Sequence, residues 1–201
     1  MFWDKIANFY DFFEKVYNGK VYKNLGIEVC KNIESNDYVL ECACGTGAIS
    51  KDVAKKCKKL TATDYSHKML KRAKKKCKKF ENVEFYESNI MHLDFNDNTF
   101  DKVVAGNVIH LLDEPIKALK ELERVCKVGG KMIIPTYINM EKKGKTSIFV
   151  RSIDKAGASF KQQCSLETYQ TFFKDAGYTN TTFYVVEGKM PCAIAIVTKS
   201  N

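Results

Sequence analysis

The sequence of 201 residues contains no long hydrophobic run and only three prolines. Its longest largely apolar stretch, residues 103–112, is interrupted by Asn107 and His110 and falls well short of the roughly 20 residues that cross a bilayer. The amino-terminal residues mix acidic and basic side chains with apolar ones, so they lack the uninterrupted apolar segment of a secretory signal. We therefore expect a cytoplasmic protein without membrane insertion.

The eight cysteines include no C-x-x-C pair, and only Cys42 and Cys44 are close neighbours in the sequence. This spacing is not that of a structural metal site, so no metal is expected. Cys57 and Cys77 fall on the apolar faces of predicted helices, where free cysteine behaves as a small hydrophobic side chain. With 45% hydrophobic and 28% charged residues, the composition is that of one globular domain. Because we expect a cytoplasmic protein, we also expect the thiols to be reduced and buried.

The net charge of +9 is concentrated in one part of the chain. Residues 51–79 contain 13 lysines or arginines against two acidic residues. Within this segment apolar residues recur every three or four positions, which predicts a helix with one buried face and one solvated, lysine-covered face. Nucleic-acid binding by that face is an alternative, but it is not favoured because no aromatic residues interleave with the lysines for base stacking.

Short β-branched runs alternate with helical patterns through the middle of the chain, the order that gives parallel strands joined by crossover helices. The predicted strands lie near 37–42, 59–64, 82–87, 99–106, 130–137, 179–187 and 191–198. The predicted helices lie near 46–57, 66–79, 113–127 and 165–176. Residues 187–190 are too few for a crossover, so the last two strands must run antiparallel. The sequence thus predicts an α/β fold with a Rossmann-like, seven-stranded, mostly parallel sheet, an antiparallel last strand and helices on both faces.

No internal repeat or proline-rich linker divides the chain, so we expect one domain with four parts. Residues 1–36 carry aromatic side chains at helical spacing and are predicted to form a helical amino-terminal lid. Residues 37–138 form a cofactor-binding core, residues 139–164 a substrate-side insertion, and residues 165–201 a carboxyl-terminal helix and β-hairpin. Ligands of open α/β sheets lie beyond the carboxyl ends of the strands, so the lid and the insertion are expected to select the substrate.

A glycine turn joins the first predicted strand to the next helix, with Glu41 at the strand end and Gly45 and Gly47 in the turn. Such a turn lets a small ligand approach the backbone and the helix amino terminus. A dinucleotide site would have a third glycine where Ser50 stands, and Glu41 would repel a pyrophosphate. The ammonium and sulfonium of S-adenosylmethionine suit a carboxylate there, and the carboxylate of that cofactor can use the helix amino terminus.

Asp64 ends the second predicted strand, 17 residues after Gly47. An acidic side chain in this place can accept hydrogen bonds from both hydroxyls of a ribose. The alternative is a structural role, in which Asp64 caps the helix that begins near Ser66. With the preceding glycine turn, the carboxylate predicts a nucleoside ligand.

Three segments resemble motifs of class I S-adenosylmethionine-dependent methyltransferases, of the small-molecule group that includes the ubiquinone and menaquinone biosynthesis enzymes. They are ECACGTG at 41–47, DYSHKML at 64–70 and ALKELERVCKVGG at 118–130. The resemblance implies a set of residues that hold S-adenosylmethionine and its product S-adenosylhomocysteine. These are Glu41, Ala43, Gly45 and Gly47 around the methionine part, Asp64 at the ribose, Tyr65 and Met69 beside the adenine, Asn89 and Ile90 at the adenine edge, and Asn107 closing the site.

Two of these positions depart from the family pattern. Ala43 stands where the family more often has glycine, and its methyl group would be tolerated only if the backbone dihedrals there are ordinary. Asn89 replaces a common aspartate, so its hydrogen bond to the adenine amino group is expected to be weaker. Cofactor binding is still expected.

The resemblance implies methyl transfer by in-line displacement, which requires alignment of the acceptor with the methyl group and, for some acceptors, removal of a proton. His110 is the candidate base because imidazole titrates near neutral pH, and its alternative role is local packing. Tyr10 resembles the tyrosine of the family's amino-terminal segment. It is a candidate to cover the methionine end or to face the acceptor, and otherwise it belongs to the core.

The expected function is methyl transfer to a small-molecule acceptor, with the acceptor atom and the choice of monomer or homodimer left open. An RNA or protein methyltransferase is an alternative, although residues 106–109 lack the Asn/Asp-Pro-Pro-aromatic motif of amino-group nucleic-acid enzymes. Pro191-Cys192 is similar to the nucleophile dipeptide of cytosine C5 enzymes, but we expect it away from the cofactor edge. An NAD(P)-dependent oxidoreductase is a more distant alternative, and a cofactor-binding protein without turnover also fits the binding residues.

Overall fold

The computed structural model describes Trp3, Asp4, Gly19, Val21, residues 23–138 and residues 165–200. Half of the predicted lid, including Tyr10, and the whole predicted insertion at 139–164 lie outside these residues. No helix in the part of the chain that is described is both long and apolar enough to span a membrane.

Seven strands and five α-helices make up the described structure. The strands are β1 (Tyr38–Cys42), β2 (Lys59–Asp64), β3 (Val83–Glu87), β4 (Phe100–Ala105), β5 (Cys126–Tyr137), β6 (Thr182–Val186) and β7 (Cys192–Thr198). The helices are α1 (23–30), α2 (Ser50–Val53), α3 (His67–Cys77), α4 (Pro115–Val125) and α5 (Leu166–Asp175), with a 3-10 turn at Ile109–Leu111.

The strands form one sheet in the order β3-β2-β1-β4-β5-β7-β6. β1 to β5 run parallel, whereas β7 pairs antiparallel with both β5 and β6. The predicted fold class is therefore confirmed, including the antiparallel last strand. From β1 the chain continues to β2 and β3 on one side, and the connection after β3 returns it to β4 on the other side of β1. This reversal creates a crevice at the carboxyl ends of β1 and β4, where open α/β sheets bind ligands.

Helices cover both faces of the sheet because successive strand residues point in opposite directions. On one face Leu40 and Val103 pack with residues of α4 and α5, including Leu119 and Phe173. The other face buries residues of the first three helices. They include Leu25 and Val29 of α1, Val53 of α2, and Leu70 and Ala73 of α3.

Strand β7 runs from the carboxyl ends of the parallel strands back to their amino ends. Cys192, its first residue, pairs with Tyr137 at the end of β5, and Thr198 pairs with Lys131 in the middle of that strand. Lys199 then donates through Nζ to the carbonyl of Cys126 over 2.9 Å. The start of β7 thus lies at the carboxyl ends of the parallel strands, called the carboxyl edge below, and its end lies at their amino ends, called the amino edge.

The helix after β1 is much shorter than the sequence predicts. We expected it over 46–57, but α2 comprises only Ser50–Val53, with turns on both sides. Gly45 and Gly47 have φ angles of 55° and 78°, which lie in the left-handed region and are incompatible with a right-handed helix. The loop therefore extends to Ile49. A four-residue helix has little of the macrodipole that we expected to assist carboxylate binding.

Candidate functional site

A cleft that is partly open to solvent lies at the carboxyl ends of β1 and β4. Its walls come from the glycine loop, the ends of β4 and β5, and α1. The lining residues are Leu25, Glu41, residues 43–46, Ala48, Ile49, Gly106, Asn107 and Tyr137. Four predicted cofactor residues, Glu41, Ala43, Gly45 and Asn107, are therefore brought together here.

The glycine loop has an unusual backbone at three alternate positions. Ala43, Gly45 and Gly47 all have positive φ, of 52°, 55° and 78°. A Cβ at Gly47 would stand 3.0 Å from the Cα of Ala73 on α3, so this glycine provides close packing of loop and helix as well as its dihedral. The dihedrals at Ala43 are therefore not ordinary, and the condition for tolerating its methyl group without cost is not met. Its left-handed backbone costs an alanine about 1 kcal/mol.

Glu41 places a buried carboxyl group on the cleft wall. The residue is 2% exposed, and its Oε2 atom accepts no hydrogen bond from the described residues. Burial raises the pKa of this carboxyl to about 8, with Asp64 adding to the shift and with Ser50 and Lys76 opposing it. A buried acceptor that lacks a donor is costly, so the site favours a ligand with a cationic N–H group.

Asp64 connects the end of β2 to the glycine loop. Its Oδ2 accepts from the amide of Gly45 and its Oδ1 from the amide of Ser66, each over 2.8 Å. Burial raises the pKa of Asp64, although both amides oppose the shift. The helix cap proposed as its alternative role is provided by Ser66, whose Oγ accepts from the amide of Met69 over 3.2 Å. Each oxygen of Asp64 keeps further acceptor capacity for a hydroxyl group.

The predicted adenine residues lie at the same sheet edge but outside the cleft lining. Tyr65 follows β2 and is 59% exposed, whereas Met69 and Ile90 are buried. Asn89 is exposed two residues after β3, and its Oδ1 accepts from the amide of Met91 over 3.0 Å. Strand pairing of β2 with β3 brings these residues to one side of Asp64.

Sequence reasoning missed a contact between the amino-terminal segment and α3. Asp4 Oδ1 accepts from Ser66 Oγ over 2.6 Å and from the amide of Lys68 over 3.3 Å. The hydrogen bond from Ser66 lowers the pKa of Asp4. No local pattern signals this contact, because the two segments are more than 60 residues apart.

Asn107 has a structural role in addition to its place in the cleft. Its φ of 54° is left-handed, a conformation that asparagine tolerates better than most residues. Its amide donates to the carbonyl of Pro135 over 2.8 Å, and its Oδ1 accepts from the amide of Tyr137 over 3.1 Å. These bonds fix the end of β4 against the end of β5.

The expected position of Pro191-Cys192 is wrong. Because β7 is antiparallel, its first residue lies at the carboxyl edge, and Cys192 Sγ is 3.9 Å from Asn107 Oδ1. Cys192 is nevertheless fully buried and does not line the cleft. Proximity to the edge therefore does not make it an accessible nucleophile.

His110 lies on the 3-10 turn after β4 and is 7% exposed. Burial lowers its pKa to about 4, so the imidazole is neutral at physiological pH. It does not line the cleft. The neutral form is the one that a base requires, but such a low pKa makes it a weak base.

Comparison with known proteins finds similarity to methyltransferases. Residues 40–134 match a family described as a methyltransferase domain. A demethylmenaquinone methyltransferase of Staphylococcus aureus is 33% identical over 136 residues, which cover 65% of this chain and 54% of that protein. The chain thus spans about half the length of this relative.

Solved structures agree with this assignment. An S-adenosylmethionine-dependent methyltransferase from Aquifex aeolicus is 26% identical, with a TM-score of 0.65 over 90% of this chain and 93% of that one. A phosphoethanolamine N-methyltransferase of Haemonchus contortus in complex with S-adenosylmethionine shares the fold, at 14% identity and a TM-score of 0.71 over 89% of this chain and 53% of that one. Residues 40–134 thus match a methyltransferase-domain family, and the chain is similar to S-adenosylmethionine-dependent enzymes, as its motifs predict.

Proposed function

We propose that this protein transfers a methyl group from S-adenosylmethionine to a small-molecule acceptor by in-line displacement and releases S-adenosylhomocysteine. The observation that carries the proposal is the buried carboxyl of Glu41, which lies in the cleft without a described donor at Oε2. A nicotinamide dinucleotide would bring a pyrophosphate towards this acidic group, whereas the ammonium of S-adenosylmethionine complements it. The methyltransferase match supports the same cofactor.

The residues have distinct roles in this proposal. Glu41 accepts from the cofactor ammonium, and the loop containing Ala43, Gly45 and Gly47 allows the methionine part to approach the backbone. Asp64, oriented by two amides, accepts from the ribose hydroxyls. The remaining positions surround the adenine or close the site. They are Tyr65, Met69, Asn89, Ile90 and Asn107.

The bound cofactor supplies an electrophilic methyl group. The chain orients the acceptor and excludes water, and these effects provide much of the acceleration in a displacement between two aligned reactants. Tyr10 and His110 are proposed as acceptor-side residues, and both assignments come from the sequence. The low pKa of His110 favours an acceptor that needs little help in losing a proton.

A variant of His110 tests its role directly. In a His110→Gln protein with intact cofactor binding, loss of this weak general base should lower kcat by about 100-fold, the lower end of the usual range for such a group. His92→Gln, at an exposed position outside the cleft, is the control. Equal kcat values for the wild type and His110→Gln would assign the histidine to packing.

A small molecule is the proposed acceptor because the site is a bounded cleft and the similar Staphylococcus aureus protein is named for a small-molecule substrate. We propose that the protein acts in the cytoplasm. The seven described cysteines are free thiols, which is consistent with a reducing compartment.

Calorimetric titration tests the cofactor first. The wild-type protein is expected to bind S-adenosylhomocysteine and not NADH. An isosteric Glu41→Gln variant should lose about tenfold or more in affinity, because a charge-assisted hydrogen bond becomes a neutral one. Binding of NADH alone would place the protein among the oxidoreductases. Labelled S-adenosylmethionine then permits an acceptor screen that begins with quinone precursors and small amines.

A further inference from the structure

The basic segment at 51–79 contains a lysine directed at the glycine loop. Lys76 is partly buried, and its Nζ donates to Oγ1 of Thr46 over 3.1 Å. The preceding lysines of α3, Lys74 and Lys75, are exposed. Lys76 is thus distinct from the solvated face that the charge pattern predicts.

Its partner lies at the centre of the proposed cofactor site. Thr46 is 1% exposed, lines the cleft, and stands between the left-handed residues Gly45 and Gly47. Glycines impose little conformational restriction on a loop, so its geometry must be maintained by contacts. Asp64 holds one side of the loop through the amide of Gly45, and Lys76 holds the adjacent residue through its side chain.

The ammonium of Lys76 also acts on the cleft carboxyl. Its positive charge lowers the pKa of Glu41, against the larger opposite effect of burial. Asp64 on β2 is the neighbouring acidic group that acts in the other direction. Five thiols also interact with Glu41, and burial raises the pKa of each, so they are neutral. They belong to Cys30, Cys42, Cys44, Cys57 and Cys77.

We propose that Lys76 is a positioning residue of the cofactor site, which holds the glycine loop through its hydrogen bond to Thr46. This inference rests on the proposed function, because an ionised Glu41 is useful only to a cationic ligand. Lys76 itself need not contact the cofactor. It acts through Thr46 and Glu41, which both line the cleft.

The test is calorimetric titration with S-adenosylhomocysteine across a range of pH. The proteins are the wild type, Lys76→Met, Lys76→Arg and the exposed control Lys75→Met, which has the same change in net charge. We expect Lys76→Met to bind about tenfold more weakly near neutral pH, the effect of losing a charged hydrogen bond. We expect the affinity to rise with pH as Glu41 ionises, and we call this rising part of the pH profile the acid limb. Because Lys76 lowers the pKa of Glu41, the acid limb should move to higher pH in Lys76→Met.

The comparison of these variants separates a specific role of Lys76 from the effect of a lower net charge. Lys76→Arg, which keeps the charge, should restore the acid limb, and Lys75→Met should match the wild type. Should Lys76→Met fail to fold, Lys76→Gln has the same expected shift because it also lacks the charge. An unchanged acid limb in the neutral variant, or an equal shift in Lys75→Met, would overturn the inference alone. Absence of binding by the wild type would overturn the proposed function and this inference together.

Discussion

At the scale of single residues, the site depends on groups held in costly states. Ala43 has a left-handed backbone, Glu41 is a buried carboxyl, and His110 is a buried imidazole. Each state lowers the stability of the unliganded protein or makes it depend on pH. Functional sites often retain such costs because the same features prepare them for a ligand.

Replacement of Ala43 by glycine should stabilise the fold. Removing the Cβ relieves the conflict at a φ of 52°, and the expected gain in the free energy of unfolding is about 1 kcal/mol. Ala48→Gly, in the same loop but without positive φ, should instead lose about 0.5 kcal/mol or more. Urea denaturation of the three proteins measures both changes. A loss of stability in Ala43→Gly would contradict the strained backbone.

Glu41 should make stability depend on pH in an identifiable direction. Its pKa is about 8 in the folded protein, above the ordinary value of 4.5. A raised carboxyl pKa gives stability that is complete below the ordinary value and is lost as the pH rises through the folded value. Glu41→Gln mimics the protonated group, so it should become progressively more stable than the wild type between those two pH values.

Chemical denaturation at a series of pH values measures this difference. Glu81→Gln, at an exposed site, is the control and should follow the wild type throughout. A stability difference between Glu41→Gln and the wild type that stays constant with pH would show that the carboxyl has the same pKa in the folded and unfolded states.

At the scale of elements, the sequence predicts the regular strands, but it does not predict the irregular loop after β1 or contacts between distant residues. Each strand prediction overlaps an observed strand, because β-branched runs bounded by turns depend on local composition. The helix after β1 was overestimated, since its pattern does not reveal that Gly45 and Gly47 adopt left-handed dihedrals. Glu41 and Asn107 were placed correctly at strand ends. Lys76 was not identified, because its hydrogen bond joins residues 30 positions apart.

Helix α5 is attached to the sheet by a buried hydrogen bond. Tyr169 donates through its hydroxyl to the carbonyl of Ile134 in β5 over 2.7 Å. Tyr169→Phe would leave that carbonyl without this donor, at an expected cost of about 1–2 kcal/mol in the free energy of unfolding. Tyr86→Phe, at an exposed position, should cost less than about 0.5 kcal/mol. Equal costs in the two variants would show that the buried bond adds nothing.

At the scale of the whole molecule, the concentration of positive charge in residues 51–79 allows a test between a small-molecule methyltransferase and an RNA methyltransferase. The net charge of +9 favours contact with any polyanion, but nonspecific electrostatic binding to nucleic acid weakens steeply with salt. We expect binding of a short single-stranded RNA to disappear near physiological ionic strength, while S-adenosylhomocysteine affinity changes little. Fluorescence anisotropy at several salt concentrations measures the former. Salt-resistant RNA binding would favour the RNA methyltransferase alternative.

The antiparallel direction of β7 has a practical consequence for attaching labels or tethers to the protein. Lys199 lies at the amino edge of the sheet, bonded to Cys126 where β5 begins, whereas the cleft lies at the carboxyl edge. A strand of seven residues separates the two edges by about 20 Å. A linker, fluorophore or immobilising tether joined beyond Lys199 therefore leaves from the side opposite the cleft, and an attached protein would leave the entrance accessible.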